Sequence, residues 1–287
     1  MTWVTLQRDE ATVRGWDGGE GLPVIFQHGL GGDEAQVAEV FPDGQGIRRL
    51  TLECRGQGKS SFGNANKISI ANFANDVLAF ADSRGIERFV IGGLSMGAAI
   101  ALRIAIANPA RVKALVLARP AWLWSAAPEN MKPFAEVAGC LRHGTSNDFE
   151  STATAQKLAR AAPDNLATMM KFFAVENLET TASLLEVIAA DGPGVSEADI
   201  RAIAVPTLII GHKIDLVHPL EYAQTLAGKI TGSQLVEITP KATDKPKHVP
   251  SSAKLWRNSW VQFQKETRHD KLKGPPPANR LVRQAAK

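Results

Sequence analysis

The sequence predicts an α/β fold: a mostly parallel, doubly wound sheet covered on both faces, with a helical insertion. Three observations predict it. Short apolar, β-rich runs alternate with longer segments whose apolar residues recur at helical spacing. Strands separated by helices pair in parallel and bury both faces of the sheet. Residues 119–205 hold helical patterns and no convincing strand, a length improbable for a structureless loop.

In chain order, "ATVRGW" (11–16) alternates in strand fashion, and "LPVIFQ" (22–27) is a buried-type strand ending at His28-Gly29. "IRRLTLEC" (47–54) is a strand that runs into the glycine loop "RGQGKS". "ISIANFANDVLAFADSRG" (68–85) has a helical period and stops at Gly85. A strand over 88–92 and a helix over 96–107 flank Ser95. "VKALVLA" (112–118), "PTLIIG" (206–211) and "SQLVEIT" (233–239) are further buried strands, with a helix over 219–230 between the last two. "SSAKLWRNSWVQFQ" (251–264) is the terminal helical segment. The expected organisation is a core of residues 1–119 and 201–264, a helical cap over 120–200 and a basic, Pro-containing tail over 265–287.

The 287 residues carry a formal net charge of +4. The tail contributes +5 of it, which leaves the body at −1, so no basic stripe for nucleic acid is expected. The two cysteines, Cys54 and Cys140, are too few for a disulfide framework. The histidines are scattered without metal-ligand spacing, and no G-x-G-x-x-G follows a first strand. No metal and no cofactor are therefore expected. "MTWVTLQRDE" lacks the pattern of a secretory signal, and the apolar run "AIALRIAIA" is too short to span a bilayer. The expectation is a cytoplasmic protein acting on a small molecule, without membrane or nucleic-acid partners and with its oligomeric state open.

The strongest chemical signal is Gly93-Leu94-Ser95-Met96-Gly97, a serine between glycines where strand pattern gives way to helix pattern. Such a turn pushes the serine Oγ out beside the helix N-terminus, whose N–H groups favour developing negative charge. A serine hydroxyl needs a base, and the base needs an orienting acid. Asp215, a few residues past strand 206–211, is the candidate acid. Among the six histidines, His248 follows the last strand and precedes the terminal helical segment, while His218 is its rival beside Asp215. Asp244 is an alternative acid. Parallel pairing would bring the ends of these strands to one edge, where open α/β sheets bind ligands. Trp122 and Trp124 directly follow strand 112–118 and are expected at the pocket mouth; Glu53 and Arg55 read as a loop-bracing pair.

The set "HGLGG", "ECRGQGKS", "GGLSMG", "GHKIDLVHP" and "KHVP", in that order, resembles the α/β-hydrolase fold superfamily of the capped, serine-nucleophile type, over about residues 10–265. The resemblance implies Ser95 as nucleophile, Asp215 as acid and His248 as base, in the family's chain order. It also implies an oxyanion hole from the backbone N–H groups of Leu30 and Met96. Two positions depart from the family pattern. Glu53 stands where the "D-x-R-G-x-G-x-S" motif has aspartate, and His248 follows Lys247 in a long charged stretch rather than a glycine. The implied activity is hydrolysis of a small-to-medium apolar carboxylic ester or lactone through an acyl-enzyme, with an acid limb near an ordinary imidazole pKa of about 6–7. C–C bond hydrolysis, perhydrolysis, or ligand binding with little turnover are the alternatives on the same scaffold.

Overall fold

The structure, a computed structural model, describes residues 2–41, 46–240 and Thr243. His248, Asp244, the segment 251–264 and the tail 265–287 lie outside the described residues.

Eight strands form one sheet in the order β1-β2-β4-β3-β5-β6-β7-β8. They are β1 (Thr2–Arg8), β2 (Ala11–Gly19), β3 (Leu22–Gln27), β4 (Ile47–Leu52), β5 (Phe89–Leu94), β6 (Val112–Ala118), β7 (Thr207–Gly211) and β8 (Gln234–Glu237). From β4 onward along the sheet every pairing is parallel, whereas β2 runs antiparallel to both β1 and β4. β1 is an element the sequence reading missed. Its residues are mostly exposed on an edge, so neither a buried apolar run nor a helix after it marks it as a strand.

The central strands β3, β5, β6 and β7 are largely apolar because both faces are covered. Their period of two divides the apolar interior. Val24, Phe26, Val90, Val116, Leu208 and Ile210 point to one side, where they cluster with Val37 and Phe41. Val37 lies on helix α1 (Glu34–Val40). Ile25, Ile91, Leu115, Leu117 and Ile209 point to the other side, packing with α2 (Ile70–Ser83) and α3 (Met96–Ala107). α3 is buried nearly all round, which explains why it is built from Ala, Ile and Leu rather than as an amphipathic stripe.

Between β6 and β7 the chain forms α4 (Lys132–His143), α5 (Ser146–Glu150), α6 (Ala153–Ala161), α7 (Pro163–Lys171), α8 (Leu178–Ala190) and α9 (Glu197–Arg201). Phe134, Val137, Met169, Phe172 and Leu185 of this insertion belong to the same apolar cluster as α2 and α3. The last described helix, α10 (Leu220–Lys229), lies between β7 and β8. Among the described residues no helix is long and apolar enough to cross a membrane.

Candidate active site

Sheet register gathers the site. Gln27 at the end of β3 pairs with Gly93, Leu94 at the end of β5 pairs with Ala118, and Ala118 pairs with Ile210 near the end of β7. The loops that follow these strands begin level with one another at the carboxyl edge. They carry His28–Gly32, Ser95, Arg119 and the segment 212–219.

Ser95 occupies the turn between β5 and α3 with φ of +56°, a left-handed backbone that a side chain adopts only under strain. Its N–H donates to Ala118 O at 3.0 Å. Glycine is needed on either side because the backbones touch. A Cβ on Gly93 would collide with the backbone of Gly97, and one on Gly97 with Gln27 O. Met96 opens α3, so its N–H has no intrahelical acceptor. Among the described residues, neither the Met96 N–H nor the Leu30 N–H has a hydrogen-bond partner, although both residues are buried.

The imidazole at Ser95 belongs to His218. Its Nε2 lies 2.8 Å from Ser95 Oγ, and its Nδ1 lies 2.9 and 3.0 Å from the two carboxylate oxygens of Asp215. An ionised carboxylate only accepts, so it holds the proton on Nδ1 and leaves Nε2 free to accept the Ser95 O–H. Asp215 is itself heavily held. Arg119 donates to its Oδ2 from Nε at 2.8 Å and from Nη2 at 2.6 Å. Asn165 Nδ2 and the His218 backbone N–H each donate to its Oδ1 at 2.9 Å. Asn165 also accepts, through Oδ1, the N–H groups of Leu216 and Val217, clamping the loop that carries Asp215 and His218.

Burial opposes ionisation of Asp215, but the Arg119 charge and the hydrogen bond from His218 hold its carboxyl well below the usual range. Burial lowers the His218 pKa beneath the ordinary imidazole value of 6.5; Asp215 pulls it up and the Arg119 guanidinium pushes it down. The result is a neutral imidazole between an ionised carboxylate and the Ser95 hydroxyl. In front of them lies a cavity of about 70 Å³, lined by Leu30, Leu94, Phe134, Met169, Val217 and the polar groups of Gln36, Arg119, Asn165 and Thr168. Among the described residues no group of His, Cys, Asp and Glu is arranged to hold a metal ion.

The sequence pattern of the α/β-hydrolase fold matches residues 23–242, most of the chain. The chain belongs to the α/β-hydrolase fold family. It is 28% identical over 229 residues (76% of this chain, 83% of the relative) to a protein of Klebsiella pneumoniae subsp. pneumoniae named provisionally as the carbamate hydrolase RutD. It is 26% identical over 235 residues to the 2-hydroxymuconate semialdehyde hydrolase of Pseudomonas putida (76% of this chain, 79% of the relative). Among solved structures it resembles the enol-lactonase of Burkholderia xenovorans LB400, with a TM-score of 0.66 at 23% identity, covering 91% of this chain and all of that one. That likeness speaks for the fold.

Within this α/β-hydrolase the residues expected from sequence separate as follows. Ser95, Asp215, Leu30 and Met96 converge at the carboxyl edge. His248 lies outside the described residues, and the imidazole in hydrogen-bond contact with both Ser95 and Asp215 is that of its rival, His218. Three residues of spacing suffice because the chain turns between Asp215 and His218, letting the His218 ring fold back over the carboxylate to which its own N–H is bonded.

Neither tryptophan lines the cavity at Ser95. Trp122 is fully buried, with Nε1 donating to Asp191 O at 2.9 Å, and Trp124 packs half-buried against the main core. The chain leaving β6 carries them into the insertion's packing, and Phe134 and Met169 take the place at the cavity. Glu53 and Arg55 do not brace each other: Arg55 pairs with buried Asp76 at 2.6 Å and with Asp9 at 2.9 Å. Cys54 is buried and its thiol pKa is pushed up by that burial, which makes it inert.

Arg119 and Asn165 were missed. A charged residue directly after the buried apolar run Ala114–Ala118 was a usable signal for Arg119. Asn165, inside "PDNLATMM" on α7, carries no local mark, since its partners are fifty residues further along the chain.

Proposed function

We propose that this α/β-hydrolase is a serine hydrolase in which Ser95 is the nucleophile, His218 the base and Asp215 the orienting acid. The observation that carries the reading is the continuous hydrogen-bonded chain from Ser95 Oγ through His218 to Asp215, with two unpartnered N–H groups beside the serine. Ser95 Oγ attacks the substrate carbonyl carbon as its proton passes to His218 Nε2, and the imidazolium that forms is stabilised by Asp215. The carbonyl oxygen, becoming an anion, is received by the N–H groups of Leu30 and Met96, usually the largest single contribution to such catalysis. His218 returns the proton to the departing oxygen, then activates water to release the acid from Ser95.

The cavity supports a short acyl group. At about 70 Å³ it is well below the roughly 300–1,000 Å³ of pockets that enclose drug-sized ligands. An ester, lactone or carbamate with a few-atom acyl part fits, its alcohol lying toward the mouth. Residues of the insertion line this space, which supports its role as a cap over the core. Likeness to 2-hydroxymuconate semialdehyde hydrolase favours C–C bond hydrolysis as the second reading.

A fluorophosphonate probe, followed by mass mapping, tests the nucleophile: the adduct is expected on Ser95, together with a burst of p-nitrophenol from p-nitrophenyl acetate. Absence of both would leave a ligand-binding protein on a hydrolase scaffold. Faster turnover of a vinylogous diketone than of any short ester would move the reaction to C–C cleavage.

A further inference from the structure

The glycine loop between β4 and α2 contacts both segments that frame the proposed oxyanion hole. Gly56 and Gly58, with φ of +71° and +57°, let the loop double back around the buried Gln57. Glu53 secures that shape, its Oε2 accepting the Lys59 N–H at 2.8 Å and its carbonyl accepting the Ser60 hydroxyl at 2.7 Å. The loop is also tied to the β3 end: the Cys54 N–H donates to His28 Nε2 at 2.9 Å. Gln57 is thus a rigidly placed side chain rather than a surface amide.

Its two amide atoms reach two different elements. Oε1 accepts the Gly31 N–H at 2.7 Å, and Nε2 lies 4.0 Å from Met96 Sδ. On the other side of Leu30, the Gly29 N–H donates to Gln36 Oε1 at 2.7 Å. The N–H groups on both sides of Leu30 are therefore tied down by glutamine side chains while its own N–H is left without a partner. An N–H that must meet an oxyanion within hydrogen-bond distance is useful only if its peptide is held in place.

We propose that Gln57 is a positioning residue for the oxyanion hole, its amide setting the spacing between the Leu30 and Met96 N–H groups by gripping Gly31 and resting against the Met96 side chain. This rests on the serine-hydrolase reading above. Gln57 itself does not line the cavity at Ser95, so it acts through the peptides it holds.

The test uses the full chain with Gln57→Met, which removes the acceptor at similar length, and Gln57→Asn, which keeps the amide but withdraws it by one methylene. Each is assayed with p-nitrophenyl acetate and with a trifluoromethyl ketone, whose adduct on serine carries an oxyanion. Losing an oxyanion donor outright costs about 10²–10³ in kcat, so loosening one is expected to cost about tenfold in Gln57→Met and about threefold in Gln57→Asn. KM should stay within about twofold, and ketone affinity should fall in proportion to kcat, since uniform binding is untouched. Should Gln57→Met not fold, Gln57→Asn decides on the same readouts. An unchanged kcat, a loss confined to KM, or unchanged ketone affinity overturns the assignment of Gln57 while leaving the hydrolase reading intact. A wild type with neither turnover nor a Ser95 adduct removes that reading and this one together.

Discussion

His218→Ala removes the imidazole from between Ser95 and Asp215 and leaves the rest of the cavity wall in place. The ring's 2.8 Å contact with Ser95 Oγ vanishes, as do its Nδ1 contacts with both Asp215 oxygens at 2.9 and 3.0 Å and with Arg119 Nη2 at 3.1 Å. Asp215 keeps Arg119, Asn165 and the backbone N–H of residue 218, so its buried charge is not orphaned. The ring borders a cavity that water can enter, and the folding cost should be about 1–2 kcal/mol, in the common range for single substitutions. Turnover should fall about 10⁴–10⁶-fold, as when a member of such a chain is lost. At about 1.4 kcal/mol per tenfold, that is roughly 5–8 kcal/mol on the barrier.

The two figures are far enough apart to separate chemistry from folding. Urea melts give the first, and kcat on p-nitrophenyl acetate the second, with His248→Ala measured in parallel and expected to stay near wild type. With His218 as the base, wild-type activity is expected to need the neutral imidazole and to be lost as pH falls through its pKa. Because burial and Arg119 both disfavour the imidazolium, that acid limb should lie below pH 6.5, lower than the sequence alone suggests. Retention of turnover within tenfold by His218→Ala would refute the assignment. So would a loss of both turnover and the acid limb in His248→Ala, which would make His248 the base.

Asn165→Ala strips hydrogen bonds from Asp215, Leu216 and Val217 at once. It should cost about 2–4 kcal/mol in a denaturant melt and lower kcat, while full activity would mean that the clamp is dispensable. Stability should fall on acidification: His28 and His218 are buried with pKa values lowered beneath 6.5, so the unfolded chain binds protons first and stability rises with pH in that window. The Asp215 contribution is present above 3.8 and is lost only further into acid, as pH falls toward its lower folded pKa. A Tm that stays flat from pH 8 to 5 would contradict this, and His218→Ala should flatten the slope. Trp122→Ala should cost about 3–5 kcal/mol as a core deletion and leave acyl-length preference unchanged; a shift in that preference would return Trp122 to the pocket.

The central strands and helices were legible because each is a local pattern with its own period. A run such as Leu22–Gln27, apolar on both faces, can be satisfied only inside a covered sheet. Ser95 was legible for the same reason, since the glycines that relieve its turn are its sequence neighbours. The edge strand β1 was not, because an exposed strand needs no apolar pattern.

What the sequence by itself determined, then, is the α/β order of elements, the turn that presents Ser95 and the loop that carries Asp215, each written within a few consecutive residues. Only the tertiary structure decided which imidazole faces Ser95, that Arg119 and Asn165 hold the acid, and that Trp122 belongs to the core. Those outcomes depend on how far each strand extends before its loop begins and on which side the insertion folds back. Spacing favoured His248, which follows the last strand, yet contact is a matter of distance in space. Around Asp215 the chain turns tightly enough that three residues bring His218 Nε2 to 2.8 Å from a serine 123 positions away.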